Sequence, residues 1–112
     1  MFDFLISSHL EIFILLIMGH FVCDFTLQNE RMAIEKVKGK DITLNWKWWL
    51  ISHSCTHGLA VTLITSNVFL GFMETILHWI IDWMKGRNYY SLTIDQILHI
   101  TCKLTWTIIL CS

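Results

Sequence analysis

The sequence predicts an all-α fold, an antiparallel bundle of four transmembrane helices, from three observations. Apolar residues make up 54% of the 112 positions and charged residues only 15%, against roughly 25% charged in soluble domains. Four apolar segments follow one another, each close to the ~20 helical residues that cross a bilayer core of ~30 Å. There is no proline, and no alternation of period two is long enough for a sheet. Each apolar segment also carries one polar pair at i,i+4: His20 with Asp24, His53 with His57, His78 with Asp82, and Asp95 with His99. On a helix this spacing stacks the two side chains on one face, about 6 Å apart along the axis.

In chain order, the first helix is expected over residues 4–28. Its start has no basic leader region and no small-residue cleavage site, and Asp3 has the wrong sign, so it reads as a retained span and not as a signal peptide. Residues 29–45 are polar and basic, Arg31 and Glu35 are spaced to pair, and the helix is expected to run on toward Gly39. The second helix covers 46–65 and ends at the turn signal Ser66-Asn67. The third covers 68–85 and ends at Gly86-Arg87-Asn88, and the fourth covers 91–110. Residues 1–112 form one domain with no internal repeat beyond the recurrent pairs. The four cysteines show no CxxC spacing and read as small buried residues. The six tryptophans fit an interfacial belt, with Trp46, Trp48 and Trp49 also suited to a core edge.

A net charge of -1 gives no reason to expect nucleic acid. The distribution of charge is more informative. Arg31, Lys36, Lys38, Lys40 and Lys47 lie between the first two spans, and Lys85 and Arg87 between the last two, while the opposite side has no basic residue in its short segments. By the positive-inside rule both basic loops are cytoplasmic and both termini outside. In an up-down-up-down bundle this topology brings the four pairs to one end. At ~1.5 Å per residue they lie roughly 5 to 12 Å below the basic residues, in a single layer.

Intramembrane ionisable residues cost about 2.5 to 3.5 kcal/mol each at a helix centre, so eight together require partners or an ion. Imidazole nitrogen and carboxylate oxygen form the donor set that zinc, manganese, iron or nickel accept. The expected metal ligands are His20, Asp24, His53, His57, His78, Asp82, Asp95 and His99, enough for one or two divalent ions, with zinc preferred. A metal-free hydrogen-bond network and a proton path draw on the same residues. One turn deeper, Glu74 and Lys103 are placed to form a buried pair, although Lys103 could instead contact an anionic substrate. Gln28 and Gln96 are candidate hydrogen-bond partners for the layer, and His9 and Glu11 are peripheral.

The motifs GHFVCDFTLQ (19–28), HSCTHG (53–58), LHWIIDWMK (77–85) and IDQILH (94–99) together resemble the small phage and bacterial membrane proteins grouped as domain of unknown function 3307, over nearly the whole chain. More distantly, HSCTHG and LHWIID are similar to the HRxxTHS and HxxxD motifs of inner-membrane metal-dependent hydrolases of the LexA-regulated type. Those carry arginine where this chain has Ser54, so a charge-stabilising role at that position does not transfer. The resemblance implies a multi-pass protein of the bacterial inner membrane, phage-encoded in some members, with a membrane metal site. Taken with the layer, it gives the expectation of a metal-dependent hydrolase acting on an amphiphilic, lipid-like small molecule at the cytoplasmic face. Asp24 or Asp95 would be the general base. Two non-enzymatic readings fit the same residues: conduction or sensing of a metal ion or protons, and a phage membrane protein that binds a host partner.

Overall fold

The computed structural model describes residues 9–111, and the expected start of the first helix at residue 4 lies outside them. Within those residues the chain is all-helical, with α1 (His9–Phe21), a π-helical turn (Val22–Thr26), α2 (Glu30–Glu35), α3 (Trp46–Thr65), α4 (Val68–Gly86) and α5 (Leu92–Cys111). The starts follow from capping chemistry. Side-chain oxygens of Asn29, Asn45 and Asn67 accept from the amides of Met32, Lys47 and Leu70 at 2.7, 3.0 and 3.1 Å, and Ser91 Oγ accepts from Ile94 at 3.3 Å. Each satisfies a donor that the first helical turn leaves free, a contribution of about 1 kcal/mol.

Two expectations for the first helix are corrected. It does not continue as α-helix to residue 28, because the Leu27 amide donates to the Val22 carbonyl at 2.8 Å, one residue further back than α-helical bonding allows. Nor does it run on toward Gly39: the chain breaks over 27–29, restarts as the short α2, and passes Gly39 at φ 93°, a left-handed conformation suited to glycine. The extra residue in the π turn rotates the end of the first helix, so that Cys23 and Asp24 are both buried although adjacent in sequence.

The four long helices form a ring in the order α1, α3, α4, α5, each antiparallel to its neighbours, as the side-chain contacts show. Asp24 meets His53 across α1 and α3, and Lys103 meets Glu74 across α4 and α5. The contact of α3 with α4 is the tightest. A Cβ placed on Gly58 would lie 2.7 Å from the Gly71 carbonyl oxygen, and one on Gly71 would lie 2.6 Å from the Gly58 carbonyl oxygen. Only hydrogen at both positions permits that backbone approach.

Burial in this ring is inverted. Among the described residues, seven hydrophobic and fourteen polar or charged side chains are buried, whereas a water-soluble domain hides its apolar residues and rarely buries unpaired charge. Leu16, Val61, Leu70 and Trp106 form a small apolar cluster at one level. Large apolar side chains such as Met18, Leu59, Phe69, Phe72 and Ile108 face outward on every long helix. Two helices, over His9–Thr26 and Leu92–Cys111, are long and apolar enough to cross a membrane. The other two carry Lys47, His53 and His57, or Glu74, His78, Asp82 and Lys85, and these residues lower their mean hydropathy.

Candidate metal centre

All four i,i+4 pairs meet in one buried layer, and two carboxylates organise it. Asp24 Oδ1 lies 3.0 Å from His53 Nε2, 3.2 Å from His57 Nε2 and 3.8 Å from His78 Nε2. Asp82 Oδ2 lies 3.3 Å from the Nε2 atoms of both His53 and His78, and Asp82 Oδ1 lies 2.9 Å from His99 Nε2. Asp95 Oδ1 is 3.4 Å from the same His99 nitrogen. The rings are stacked against one another, with centroids 3.7 Å apart for His57 and His78 and 4.1 Å for His78 and His99. The glycine contact makes this possible. Gly58 follows His57 directly, and the close approach of α3 to α4 brings His57 onto His78.

The π turn supplies the other half of the arrangement. By turning Asp24 inward from the end of the first helix, it directs Oδ1 at the α3 histidines, while Oδ2 accepts from Gln96 Nε2 at 2.8 Å. Gln96 Oε1 in turn lies 2.9 Å from His20 Nε2. The Gln96 amide nitrogen faces carboxylates, so its oxygen must face a donor, and this fixes the proton of His20 on Nε2. The predicted role of Gln96 as a partner of the layer is therefore met. Gln28 also serves, donating to the Asp24 main-chain carbonyl at 3.1 Å.

Three sets bring His, Asp or Glu ligand atoms within 4.8 Å of one another: Asp24, His53, His57 and His78; Asp82, Asp95 and His99; and Glu74, His78 and His99. Seven of the eight residues singled out from the sequence fall in these sets. His20 lies in the layer but outside them, engaged with Gln96. In tetrahedral geometry, bonds of ~2.0–2.1 Å set neighbouring ligand atoms roughly 3.3 Å apart, close to the spacings around Asp24 Oδ1. The first set has the donors and burial of a divalent transition-metal site. Its most telling atom is His78 Nε2, which is buried and makes no hydrogen bond, although Asp82 Oδ2 lies 3.3 Å away.

Glu74 belongs to a different arrangement. Its Oε1 accepts from Lys103 Nζ and from Trp106 Nε1, both at 2.8 Å, and its Oε2 lies 3.1 Å from His78 Nδ1. The Glu74–Lys103 pair expected from the sequence is thus present, with both side chains 1% exposed. With Lys103 and Trp106 holding the carboxylate in place, its second oxygen accepts a hydrogen bond from His78 Nδ1–H. That leaves the Nε2 lone pair directed into the layer, as when a carboxylate orients a metal-binding histidine.

On the loop side the layer opens to a cleft of about 150 Å³, with Asp24, Asp82 and Asp95 on its walls together with Phe25, Lys36 and Lys85. Lys36, at the end of α2, reaches in to Asp82 Oδ2 at 2.9 Å. Sequence reasoning assigned Lys36 only to the basic loop. The one available signal was its place right after Glu35, which fixes this segment: Glu35 Oε1 accepts from the amides of Ile42 and Thr43, both at 2.6 Å. Burial raises the Glu35 pKa, but these bonds, the Thr43 hydroxyl and Arg31 at 3.3 Å outweigh it and hold the carboxyl at about 2. On the other loop the Tyr90 hydroxyl donates to the Ile81 carbonyl. Burial, followed by the charges of Asp95 and Asp82, pushes that phenol up to about 12.

The four cysteines are free thiols. Cys55 is exposed and faces away from the layer, so the prediction that the cysteines are small buried residues holds for Cys23 and fails for Cys55. His9 and Glu11 lie at the far end of α1, both exposed, away from the layer as expected.

Comparison with known families matches residues 12–111 to the one described as "Protein of unknown function (DUF3307)". No curated protein and no solved structure matches the chain.

Proposed function

The chain belongs to the DUF3307 family, and from that premise we propose that it is an integral membrane metalloprotein of the bacterial inner membrane that hydrolyses an amphiphilic substrate at the cytoplasmic face. The observation that carries this reading is the convergence of four sequence-distant His/Asp pairs on one buried layer, next to a cleft on the side of the basic loops. The inverted burial supports the membrane: outward Leu, Ile and Phe suit lipid, and the long dimension of 45 Å is comparable to a bilayer with its headgroups. By the positive-inside rule, the charge of the basic loops favours a cytoplasmic cleft with both termini outside.

His53, His57 and His78 would hold a zinc ion, with the Asp24 carboxylate beside it and a position left for water. Bound there, zinc supplies Lewis-acid polarisation and a water of lowered pKa. The protein supplies the rest. Glu74 fixes the His78 lone pair, and Gln96 holds Asp24 in place. Asp95 is the general base, because it lines the cleft and its Oδ1 has a 3.4 Å ion-pair contact with His99 Nε2 but no hydrogen bond, whereas both oxygens of Asp24 are hydrogen-bonded. A second ion held by Asp82, Asp95 and His99 would make Asp95 a ligand, and metal stoichiometry distinguishes the two cases.

The test is a panel of lipid-like esters, phosphoesters and amides offered to purified protein. Asp95→Asn should keep its zinc and lose turnover by roughly 10² to 10⁴-fold, the range for lost acid-base catalysis. Wild-type protein that holds metal, cleaves nothing in the panel and passes ions in liposomes in a His57-dependent manner would replace hydrolysis by conduction.

A further inference from the structure

The cleft above the layer has a chemistry of its own. Its walls carry the carboxylates Asp24, Asp82 and Asp95 and the ammonium groups of Lys36 and Lys85. Lys36 is committed to Asp82, but Lys85 makes no ion pair among the described residues and is only half-buried, so its charge is available at the rim. Two of the lining residues carry a buried oxygen with no hydrogen bond: Asp95 Oδ1, which stands 3.4 Å from His99 Nε2, and Gln28 Oε1. The Gln28 orientation is fixed, since its amide nitrogen donates to the Asp24 carbonyl. The lip is apolar where the π turn meets the start of α5: Phe25 and Leu92, 55% and 57% exposed, line the same cleft and face outward.

Three carboxylates against two ammonium groups leave the empty cleft with one formal negative charge, and one divalent ion bound beneath it reverses the sign. An anion is then attracted toward Lys85 and the metal. The apolar lip beside this polar floor offers Phe25, at the end of the first helix, and Leu92, at the start of α5, to a hydrocarbon chain.

We propose that the cleft binds the phosphate headgroup of an amphiphile, with Lys85 contacting the phosphate and Phe25 and Leu92 contacting the first part of the chain. This rests on the metal-centre reading above and specifies its substrate class. The same phosphate chemistry could come from free phosphate, so the probes must separate headgroup from ion.

Octylphosphonic acid, methylphosphonic acid and octanol serve, because the carbon–phosphorus bond resists hydrolysis and binding can be read without turnover. Calorimetric titration of zinc-loaded protein in detergent should show octylphosphonic acid bound at least roughly ten-fold more tightly than methylphosphonic acid, given about 0.8 kcal/mol per buried methylene, and octanol bound weakly. Lys85→Gln should weaken both phosphonates by roughly ten-fold, the scale of one charge-assisted hydrogen bond, without changing zinc content. Phe25→Ala should weaken only the octyl compound. Zinc-stripped protein should bind neither phosphonate.

Binding of octanol as tight as octylphosphonic acid, indifference to Lys85→Gln, or undiminished binding by zinc-free protein would each overturn the inference. Equal affinity for the two phosphonates would overturn its amphiphile half in favour of free phosphate. Protein that retains zinc but binds no phosphonate sinks this inference alone. Protein that never holds metal sinks the reading beneath it.

Discussion

Glu74 Oε2 lies 3.1 Å from His78 Nδ1, and the other nitrogen of that ring is buried, 3.3 Å from Asp82 Oδ2 but without a hydrogen bond. A carboxylate one helical turn away thus fixes the histidine tautomer, and Lys103 and Trp106 fix the carboxylate. Glu74→Gln leaves the Lys103 ammonium buried without its counter-charge, so it should destabilise the protein by about 3–5 kcal/mol. Adding Lys103→Met should recover much of that loss. Zinc affinity should stay about 10 to 100-fold low in the double variant, because the amide orients His78 less strongly. Thermal unfolding read beside zinc titration separates the two effects, and recovery of both together would make Glu74 a purely structural partner of Lys103.

The crossing of α3 and α4 has no room for a methyl group. Gly58→Ala would drive its Cβ against Thr75 Oγ1 and the Gly71 carbonyl, and overpacking of this kind costs about 1–3 kcal/mol. The same shift should separate the His57 and His78 rings. Lower unfolding temperature accompanied by weaker zinc binding is expected for Gly58→Ala and for Gly71→Ala, and little change for alanine at Gly39 would not be, since φ 93° disfavours any side chain there.

Glu35 ties α2 to the amides of Ile42 and Thr43 and has its pKa lowered from 4.5 to about 2. A carboxyl depressed by folding contributes stability that is fully present above its unfolded value and is lost as pH falls through the folded one. The loop over 36–43 should therefore hold above pH 4.5 and loosen progressively toward pH 2. Amide hydrogen exchange at Ile42 and Thr43, corrected for intrinsic rates, reads this directly. Glu35→Gln should exchange quickly at every pH, and a variant as protected as wild type at pH 6 would show that the ion pair and amide bonds do not hold the loop.

Topology is accessible to labelling. On a cysteine-free background, Lys38→Cys in the basic loop and Val68→Cys at the start of α4 lie at opposite ends of the bundle. A membrane-impermeant thiol reagent applied to whole cells should reach Val68→Cys and not Lys38→Cys. Labelling of both from the same side would remove the membrane-spanning arrangement.

Much of the site was legible because its signal is periodic. Pairs at i,i+4 survive any uncertainty in helix ends, and the charge of the loops said which ends come together, so the four pairs and the Glu74–Lys103 contact could be placed without coordinates. The π turn could not. Nothing in VCDFT distinguishes an i+5 bond from an i+4 bond, and the partners that Asp24 meets there, His53 and His57, lie some thirty positions away in sequence. The short α2 escaped for a similar reason: Arg31 and Glu35 have the right spacing for a continuing helix, but Glu35 spends its oxygens on the loop ahead. Lys36 looked like loop charge because its partner, Asp82, lies on α4, far away in sequence.

The central claim is that the buried layer holds metal, and elemental analysis of protein purified in detergent tests it most directly. Wild-type protein should carry one or two equivalents of a divalent transition metal, with zinc the expected element. His57→Ala, which removes a member of the most complete ligand set, should lose most of it while remaining folded by circular dichroism, and His9→Ala, at the far end of α1, should retain all of it. Folded wild-type protein with no bound metal after growth in zinc-supplemented medium, or metal content unchanged by His57→Ala, would contradict the account.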